Sequence, residues 1–414
     1  MPMSYVSHLQ GIASGVRYPA DEPMNLCRAD GRPVAMMFDL GRLREARGSL
    51  GWYSPERRNM WRFGGLMALD YDAPGDRESI VTLGEGATPL VPVDEGLLGL
   101  DAGLELEIKL EGHPRPGYGA NPTGSFKDRG MAMVVSMARR LGLSRLAVPT
   151  QGNAGDSLAR YALAAGLEAV VVMPRDTPAP IMDRVRSLAG SSGAIRYELV
   201  DGTIREAGVR IRERWLDEGY FSVATFQDPG WRIEGKKSLG LELAEPRRPG
   251  APWALPDAIV YPTGGGTGLL GMWKAFDELE CLGLIGPGRP RMIAIQSAAT
   301  TPLVDAFENG WDDTRPGPAG KTAAVGLNVP GGVGHFRVLE ILRQSGGAAV
   351  AVAEDDIERA MGRTLPGLGG GLSPEGAAAI AALPALLERG CLQTEDHVVV
   401  FETGSPEKYR SAAQ

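Results

Sequence analysis

A regular alternation of short apolar runs with helix-type patterns, starting near residue 104, restricts the fold most strongly. In the stretch Asp156–Ala165, for example, apolar residues recur at the spacing of one helix face. The apolar runs are short and bounded by turn residues, as strands buried on both faces are. They are Leu104–Leu110, Arg145–Pro149, Ala169–Met173, Ala258–Tyr261, Met292–Ile295, Ala349–Val352 and His397–Phe401. This alternation predicts right-handed βαβ units around mainly parallel sheets, and therefore an α/β fold.

Composition and charge exclude several classes of protein. With 414 residues and a formal net charge of −8, the chain has room for two or three domains and is a poor ligand for nucleic acid. Its three cysteines are scattered, so we expect no disulfide framework and a reducing, cytoplasmic location. Four scattered histidines and no paired cysteines predict no metal site. No apolar run approaches the length of about 18 residues that a membrane-spanning helix needs.

A lysine at the start of a predicted helix is the first candidate for chemistry. The helix pattern covers Phe126–Leu141, so Lys127 lies in its first turn. The positive end of the helix dipole disfavours a charged amine there and favours a nucleophilic lysine that can form a Schiff base. On position alone, the alternative is a surface lysine neutralised by Asp128.

A glycine-rich loop, Pro262–Gly268, lies between a predicted strand and a helix that should start near Leu269. Backbone N–H groups in front of a helix bind anions, so the loop predicts a phosphate site, with a purely structural turn as the alternative. A G-x-G-x-x-G pattern starts at Gly266 and leaves a nicotinamide-dependent oxidoreductase as a weak alternative. The acid that this fingerprint requires after the next strand is replaced by Gln296.

Two further loops follow predicted strands, where ligands of α/β proteins bind. Thr150–Gly155 carries polar side chains that suit a ligand or a helix cap, and Thr403 offers a hydroxyl or merely ends the last strand. The stretch Gly155–Leu158 also spells an ester-hydrolase motif. None of the four histidines has an aspartate three residues before it, so Ser157 lacks a base and hydrolase chemistry is excluded.

Taken in order, these stretches resemble the fold-type II pyridoxal-phosphate enzymes, the relatives of tryptophan synthase β, and among them the threonine synthase family. The resemblance runs from about residue 80 to the end of the chain. It implies two open, twisted, mainly parallel sheet domains behind an N-terminal extension. The stretches that carry it are Leu83–Leu90, Asn121–Gly130, Arg232–Lys237, Gly268–Phe276 and Thr403-Gly404.

The same resemblance implies a domain division. Residues 1–80, which are rich in glycine, proline, arginine and methionine, should form an irregular N-terminal extension. Residues 81–130 and 235–414 should form a large cofactor-binding domain. Residues 131–234 should form a smaller, mobile α/β domain whose closure protects the reaction from water.

The resemblance also implies roles for individual residues. Lys127 should hold pyridoxal 5'-phosphate as an internal Schiff base and later transfer protons, with Phe126 packed beside it. Asn153 should bind the ring hydroxyl of the cofactor. Thr403 should meet the pyridine nitrogen, where a neutral hydroxyl weakens the electron sink and suits elimination better than transamination.

The remaining ligands follow from the same comparison. The cofactor phosphate should be held by Gly264, Gly265, Gly266, Thr267 and Gly268, in agreement with the anion argument above. The backbone of Thr150, Gln151 and Gly152 should receive the substrate carboxylate. Arg160, Lys236 and His335 are candidate contacts for a substrate phosphate.

The function implied by the resemblance is that of a lyase of amino-acid biosynthesis. Threonine synthases release phosphate from the γ-carbon of O-phosphohomoserine and add water at the β-carbon to give L-threonine. The alternative is a related β-elimination or replacement enzyme, such as a threonine or serine ammonia-lyase or a cysteate-synthase-like enzyme acting on O-phosphoserine. We expect a small phosphorylated hydroxy amino acid as substrate, a homodimer, and no nucleic-acid or membrane partner.

Overall fold

The computed structural model describes residues 5–46, 52–363, 365 and 371–409. They fall into two compact units. The first unit comprises the described residues within Met1–Ala87, Asn121–Ser238 and Lys408–Gln414, and the second comprises those within Thr88–Ala120 and Leu239–Glu407. None of the helices among the described residues is long and apolar enough to cross a membrane.

The regular elements follow one another as an α/β pattern from residue 105 onward. The strands are β1 Val6–Gly11, β2 Arg17–Tyr18, β3 Val34–Phe38, β4 Leu90–Pro92, β5 Glu105–Leu110, β6 Arg145–Pro149, β7 Glu168–Pro174, β8 Ile195–Val200, β9 Phe221–Ser222, β10 Ala258–Pro262, β11 Arg291–Ser297, β12 Ala348–Val352 and β13 His397–Glu402. The α-helices are α1 Leu40–Ala46, α2 Pro74–Arg77, α3 Lys127–Arg140, α4 Asn153–Ala165, α5 Ala179–Ser191, α6 Ile204–Arg210, α7 Trp231–Ala244, α8 Thr267–Cys281, α9 Pro302–Glu308, α10 His335–Gln344, α11 Glu354–Met361, α12 Pro374–Ala381 and α13 Leu383–Glu388. All seven predicted strands are present, so the predicted α/β class is confirmed.

The first unit is built on a four-stranded parallel sheet in the order β8-β7-β6-β9. Its central strands are runs of small and branched apolar residues that are buried on both faces, which is why they read as continuous apolar segments. One face packs against α6 and the turns after it, where Ile211 and Trp215 join Ala147 and Val170 in one cluster. From β6 the chain continues to β7 on one side, and β9, later in the chain, pairs with β6 on the other side. The loop after β6 therefore lies at a topological switch point, where such sheets commonly bind ligands.

The N-terminal extension is less irregular than predicted. It contains a three-stranded antiparallel sheet in the order β2-β1-β3, with Leu9, Val34 and Met36 buried. The strands are short and separated by Gly- and Pro-containing turns, so no long periodic segment marks them in the sequence. The pairing of β1 with β3 joins segments that are not adjacent along the chain, and a local pattern does not report such a contact.

The second unit contains a six-stranded sheet in the order β12-β11-β10-β13-β5-β4, in which β4 alone runs antiparallel to its neighbour. From β10 the chain goes to β11 on one side, and it returns much later to place β13 on the other side. The loops after β10 and β13 therefore lie at the same carboxyl edge of this sheet. This is the topological switch point where open α/β sheets bind ligands.

Candidate active site

Lys127 is the first residue of α3, as predicted. Its backbone N–H donates to Ser125 Oγ at 3.3 Å, and its side chain is half-buried. Lys127 Nζ lies 4.2 Å from the centre of the buried Phe126 ring, so the structure brings these two predicted residues together. An aromatic face beside the amine limits the directions in which the side chain can extend.

Asp128 is not a surface counter-ion for Lys127. It is fully buried and accepts hydrogen bonds from Thr123 N and Thr123 Oγ1, both at 2.7 Å, and from Ser157 Oγ at 2.6 Å. Burial raises the pKa of Asp128 to about 6, and the hydrogen bonds act in the opposite direction. Asp128 therefore closes the loop in front of α3, and the alternative of a surface lysine neutralised by Asp128 is wrong.

The loop after β6 leads directly into α4, whose first residue is Asn153. Thr150 Oγ1 accepts from Gly152 N at 3.0 Å, and Gly152 has a φ of +155°, a conformation that favours glycine. Gln151 is half-buried. Asn153 Nδ2 donates to Tyr409 Oη at 2.8 Å, whereas Asn153 Oδ1 is buried and has no hydrogen-bond partner among the described residues. The loop thus presents an amide oxygen that is available to a ligand.

A buried ion pair beside this loop was not predicted. Lys408 Nζ donates to Asp156 Oδ2 at 2.6 Å and to the carbonyl of Thr123 at 2.7 Å, and the Lys408 side chain is fully buried. Arg160 is exposed and lines a groove of about 470 Å³ together with Asp156 and Arg184. No sequence pattern could have paired Lys408 with Asp156, because the two residues are 252 positions apart.

Glu85 is a second buried acid that sequence reasoning did not single out. Its carboxylate accepts from Trp61 Nε1 and from Tyr161 Oη, both at 2.7 Å. Burial raises the pKa of Glu85. Because Tyr161 lies on α4, Glu85 fixes the helix that starts at Asn153 to the N-terminal part of the first unit. Its role is therefore to position this helix.

In the second unit, the glycine-rich loop leads into α8, which begins at Thr267, two residues before the predicted start. Gly266 precedes the helix with a φ of +85°. A side chain at Gly264 would place its Cβ 2.3 Å from Gly326 O, and one at Gly268 would place it 2.0 Å from Tyr261 Oη. These glycines are required by close packing, and they also leave the N–H groups at the start of a 15-residue helix without side chains in front of them.

His335 holds this loop in place. It is fully buried, its Nδ1 accepts from Gly332 N at 3.2 Å, and its Nε2 lies 2.9 Å from Gly264 O. This network assigns the proton to Nε2. Burial lowers the pKa of His335 to about 4, so the ring is neutral at physiological pH. His335 is thus a positioning residue for the glycine loop and not the cationic phosphate contact that was considered.

Thr403 is buried and directly follows β13. Because β13 pairs with β10, Thr403 and the glycine loop follow neighbouring strands at one edge of the sheet. The segment before the lysine motif also reaches this edge, since a Cβ on Gly112 would lie 2.0 Å from the Gly404 carbonyl carbon. The structure therefore groups Thr403 with the predicted phosphate loop within the second unit.

Lys236 is buried on α7 in the first unit, and its Nζ lies 4.6 Å from the centre of the Phe126 ring. Burial lowers its pKa well below the ordinary value, and the positive charges of Lys127 and Arg232 act in the same direction. The amine of Lys236 is therefore enclosed by protein. The three candidate contacts for a substrate phosphate, Arg160, Lys236 and His335, thus differ sharply in exposure, and Arg160 is the exposed one.

Comparison with known proteins agrees with this geometry. The family described as "Pyridoxal-phosphate dependent enzyme" matches residues 81–404. The chain belongs to this family. A threonine synthase of Methanosarcina acetivorans is 30% identical over 399 residues, covering 96% of this chain and 91% of that protein. A threonine synthase of Methanocaldococcus jannaschii is 28% identical over 404 residues, covering 97% of this chain and 93% of that protein. The chain is thus a threonine synthase-like lyase that uses pyridoxal 5'-phosphate.

Solved structures confirm the fold-type II architecture. Threonine deaminase isoform 2 from Solanum lycopersicum matches with a TM-score of 0.59 and 23% identity, covering 80% of this chain and 86% of that chain. Diaminopropionate ammonia lyase from Escherichia coli matches with a TM-score of 0.62 and 17% identity, covering 86% of this chain and 91% of that chain. At these identities the likeness concerns the fold alone.

Each unit by itself carries groups that fit a part of pyridoxal 5'-phosphate chemically. In the first unit, Lys127 carries a half-buried primary amine, and Asn153 carries an amide oxygen without a partner among the described residues. The N-terminus of α8, preceded by glycines, suits a phosphate dianion. Thr403 supplies a neutral hydroxyl.

Proposed function

We propose that the chain is a threonine synthase that converts O-phosphohomoserine and water into L-threonine and phosphate. The observation that carries this proposal is the similarity to two threonine synthases over nearly the full length of both partners. The lysine motif Asn121–Gly130 at the start of α3 supports it. The reaction is a γ-elimination of phosphate followed by addition of water at the β-carbon.

Lys127 provides the reactive amine. When bound, the cofactor supplies an electron sink that stabilises negative charge on the substrate carbons. Lys127 attaches the cofactor through Nζ. Lys127 Nζ would also accept the α-proton of the substrate and return protons to the substrate carbons. Phe126 holds the side chain on one side during these transfers.

The other residues bind the cofactor and the substrate and orient them. Asn153 binds the cofactor's ring hydroxyl, and Gly264 to Gly268 bind its phosphate with backbone N–H groups, held in place by His335. Thr403 would meet the pyridine nitrogen of the cofactor, and its neutral hydroxyl, unlike a carboxylate, would not stabilise a protonated nitrogen. The backbone of Thr150, Gln151 and Gly152 receives the substrate carboxylate, and Arg160 contacts the substrate phosphate.

A substrate panel tests the reaction. The purified holoenzyme is incubated with O-phosphohomoserine, O-phosphoserine, threonine and serine, and phosphate, ammonia, keto acid and threonine are measured. We expect phosphate and threonine in equal amounts from O-phosphohomoserine alone.

The likeness to a threonine deaminase from T.th., with 26% identity, a TM-score of 0.58 and coverage of 77% of this chain and 92% of that chain, favours ammonia-lyase activity as the second candidate. Formation of ammonia and keto acid from threonine, with no release of phosphate from O-phosphohomoserine, would establish that candidate instead.

Cofactor trapping tests the lysine. We expect borohydride reduction and peptide mapping to find the cofactor on Lys127, and Lys127→Ala to lose both the trapped cofactor and turnover. Lys321→Ala changes an exposed lysine and serves as the matched control. Cofactor found on Lys236, the other amine beside the Phe126 ring, would refute the assignment.

Three further features are part of the proposal. The chain forms a homodimer, which is tested by measuring its molar mass in solution by light scattering. It acts in the cytoplasm, which is tested by locating the protein by cell fractionation. Residues 131–234 form a small mobile domain that closes on the substrate. Hydrogen exchange with and without substrate should show protection that is concentrated in this segment.

A further inference from the structure

Two consecutive residues near the end of the chain contact the helix that carries Asn153. Tyr409 Oη accepts a hydrogen bond from Asn153 Nδ2 at 2.8 Å. Lys408 is fully buried and forms the ion pair with Asp156 at 2.6 Å, and it also donates to Thr123 O. Asn153 and Asp156 are three positions apart in α4, so they lie on one face of the helix. The buried ion pair of Lys408 thus anchors the neighbouring Tyr409 against the first turn of α4.

The orientation of the Asn153 amide depends on such a contact. The terminal torsion of asparagine is broad and roughly two-fold, so the amide plane is fixed only by its hydrogen bonds. The amide has two N–H donors and one oxygen acceptor. Tyr409 takes one N–H, and the buried Oδ1 has no partner among the described residues. A buried acceptor without a partner is unfavourable, so a bound group that hydrogen-bonds this amide is favoured there.

We propose that Tyr409 is a positioning residue that holds the Asn153 amide in the orientation in which it binds the cofactor's ring hydroxyl. This inference rests on the role of Asn153 in the proposed function. The hydroxyl of Tyr409 fixes one N–H of the amide and leaves the second N–H and Oδ1 for the cofactor. Tyr409 acts on the cofactor only through Asn153.

A double-mutant cycle on cofactor binding tests the inference. Apoprotein is titrated with pyridoxal 5'-phosphate for the unaltered chain, Tyr409→Phe, Asn153→Ala and the double variant, and the dissociation constant and the absorption spectrum of the bound cofactor are measured. We expect Tyr409→Phe to weaken binding by about 2- to 12-fold, the range for one hydrogen bond, and to shift the spectrum. In the Asn153→Ala background, the same change should alter neither quantity.

Two controls separate positioning from folding. Tyr409→Phe removes only the hydroxyl, and its apoprotein should unfold at the same temperature as the unaltered apoprotein. Tyr118→Phe removes a hydroxyl from an exposed tyrosine and should change neither affinity nor spectrum. A purely structural role of Tyr409 in packing the end of the chain would weaken binding equally in both backgrounds.

Equal weakening in both backgrounds, or none in the unaltered background, would overturn the inference while leaving the proposed function intact. An Asn153→Ala variant that binds cofactor with unchanged affinity would overturn the inference together with the role of Asn153. If the proposed function is wrong, a different result is expected: borohydride then traps no cofactor on Lys127 of the unaltered chain.

Discussion

The buried, neutral His335 should make the protein sensitive to acid in a measurable way. The perturbation is His335→Gln. Glutamine also carries a donor and an acceptor, which can replace the contacts to Gly264 O and Gly332 N, but it does not titrate. The variant therefore keeps the loop contacts approximately and removes the proton equilibrium.

The magnitude follows from the pKa difference between the folded and unfolded states. Burial lowers the pKa of His335 from 6.5 to about 4 in the folded state. Between these values the unfolded chain binds a proton that the folded chain does not, so the free energy of unfolding falls as the pH drops from about 6.5 towards 4. At about 1.4 kcal/mol for each pKa unit, the greatest loss is about 3 kcal/mol.

Urea unfolding at pH 7 and at pH 4.5 measures this loss. We expect the unaltered protein to lose about 2–3 kcal/mol more than His335→Gln between the two values. Asp128 and Asp228, whose pKa values are raised to about 6 by burial, contribute with the opposite sign but equally in both proteins. An identical pH dependence in the two proteins would refute the argument that His335 is held neutral.

His397 provides the matched control. Its side chain is half-buried, and its hydrogen bond to Glu107 raises its pKa. The stability that it contributes is therefore present at low pH and is lost as the pH rises through the folded-state pKa. His397→Gln should differ from the unaltered protein with the opposite sign to His335→Gln.

Three other perturbations test the contacts around the site. Lys408→Met should lower the free energy of unfolding by about 3 kcal/mol, because it leaves the buried Asp156 with only the longer contact to Arg184 at 3.9 Å, and adding Asp156→Leu should recover most of this loss in urea unfolding. The contribution of Asp128 to stability should fall as the pH rises from about 4 to about 6, because folded Asp128 keeps its proton over this range, and the difference between the unaltered protein and Asp128→Asn in the same assay measures this contribution. Gly264→Ala should cost about 1–3 kcal/mol in thermal unfolding and weaken cofactor binding, since its Cβ would lie 2.3 Å from a backbone oxygen, whereas Gly286→Ala, with no atom within 4 Å, should be neutral. The argument on Lys408 would be contradicted if the double variant recovered no stability. The argument on Asp128 would be contradicted if Asp128→Asn left the pH dependence unchanged, and the argument on Gly264 if the two glycine changes had equal effects.

Local patterns predicted the elements that carry the site. The strand Arg145–Pro149 has the same ends in the sequence analysis and in the structure, because an apolar run buried on both faces is visible without knowledge of its neighbours. The sequence predicts Lys127 in the first helical turn, and it is the first residue of α3. The sequence predicts ligand-binding residues in the loops after β6, β10 and β13, and all three loops follow the carboxyl ends of parallel strands in their own sheets.

The partners of the buried polar groups were not predictable in the same way. Glu85 meets Trp61 and Tyr161, which are 24 and 76 positions away along the chain. His335 meets Gly264 across 71 positions. The sequence left His335 as a candidate substrate contact, because the charge and burial of a histidine cannot be read from its position in the sequence alone.

By itself, the sequence determined the α/β class, the order of strands and helices, the position of Lys127 at the start of a helix and the glycine-rich loop before another helix, because periodicity and turn chemistry act over a few residues. Only the tertiary structure decided that Asp128 closes a loop, that His335 is neutral, and that Lys408 and Tyr409 hold the helix of Asn153. Each of these depends on which distant segments meet in the folded chain. Burial then sets the charge of these groups through the loss of water, and the local sequence does not encode that loss.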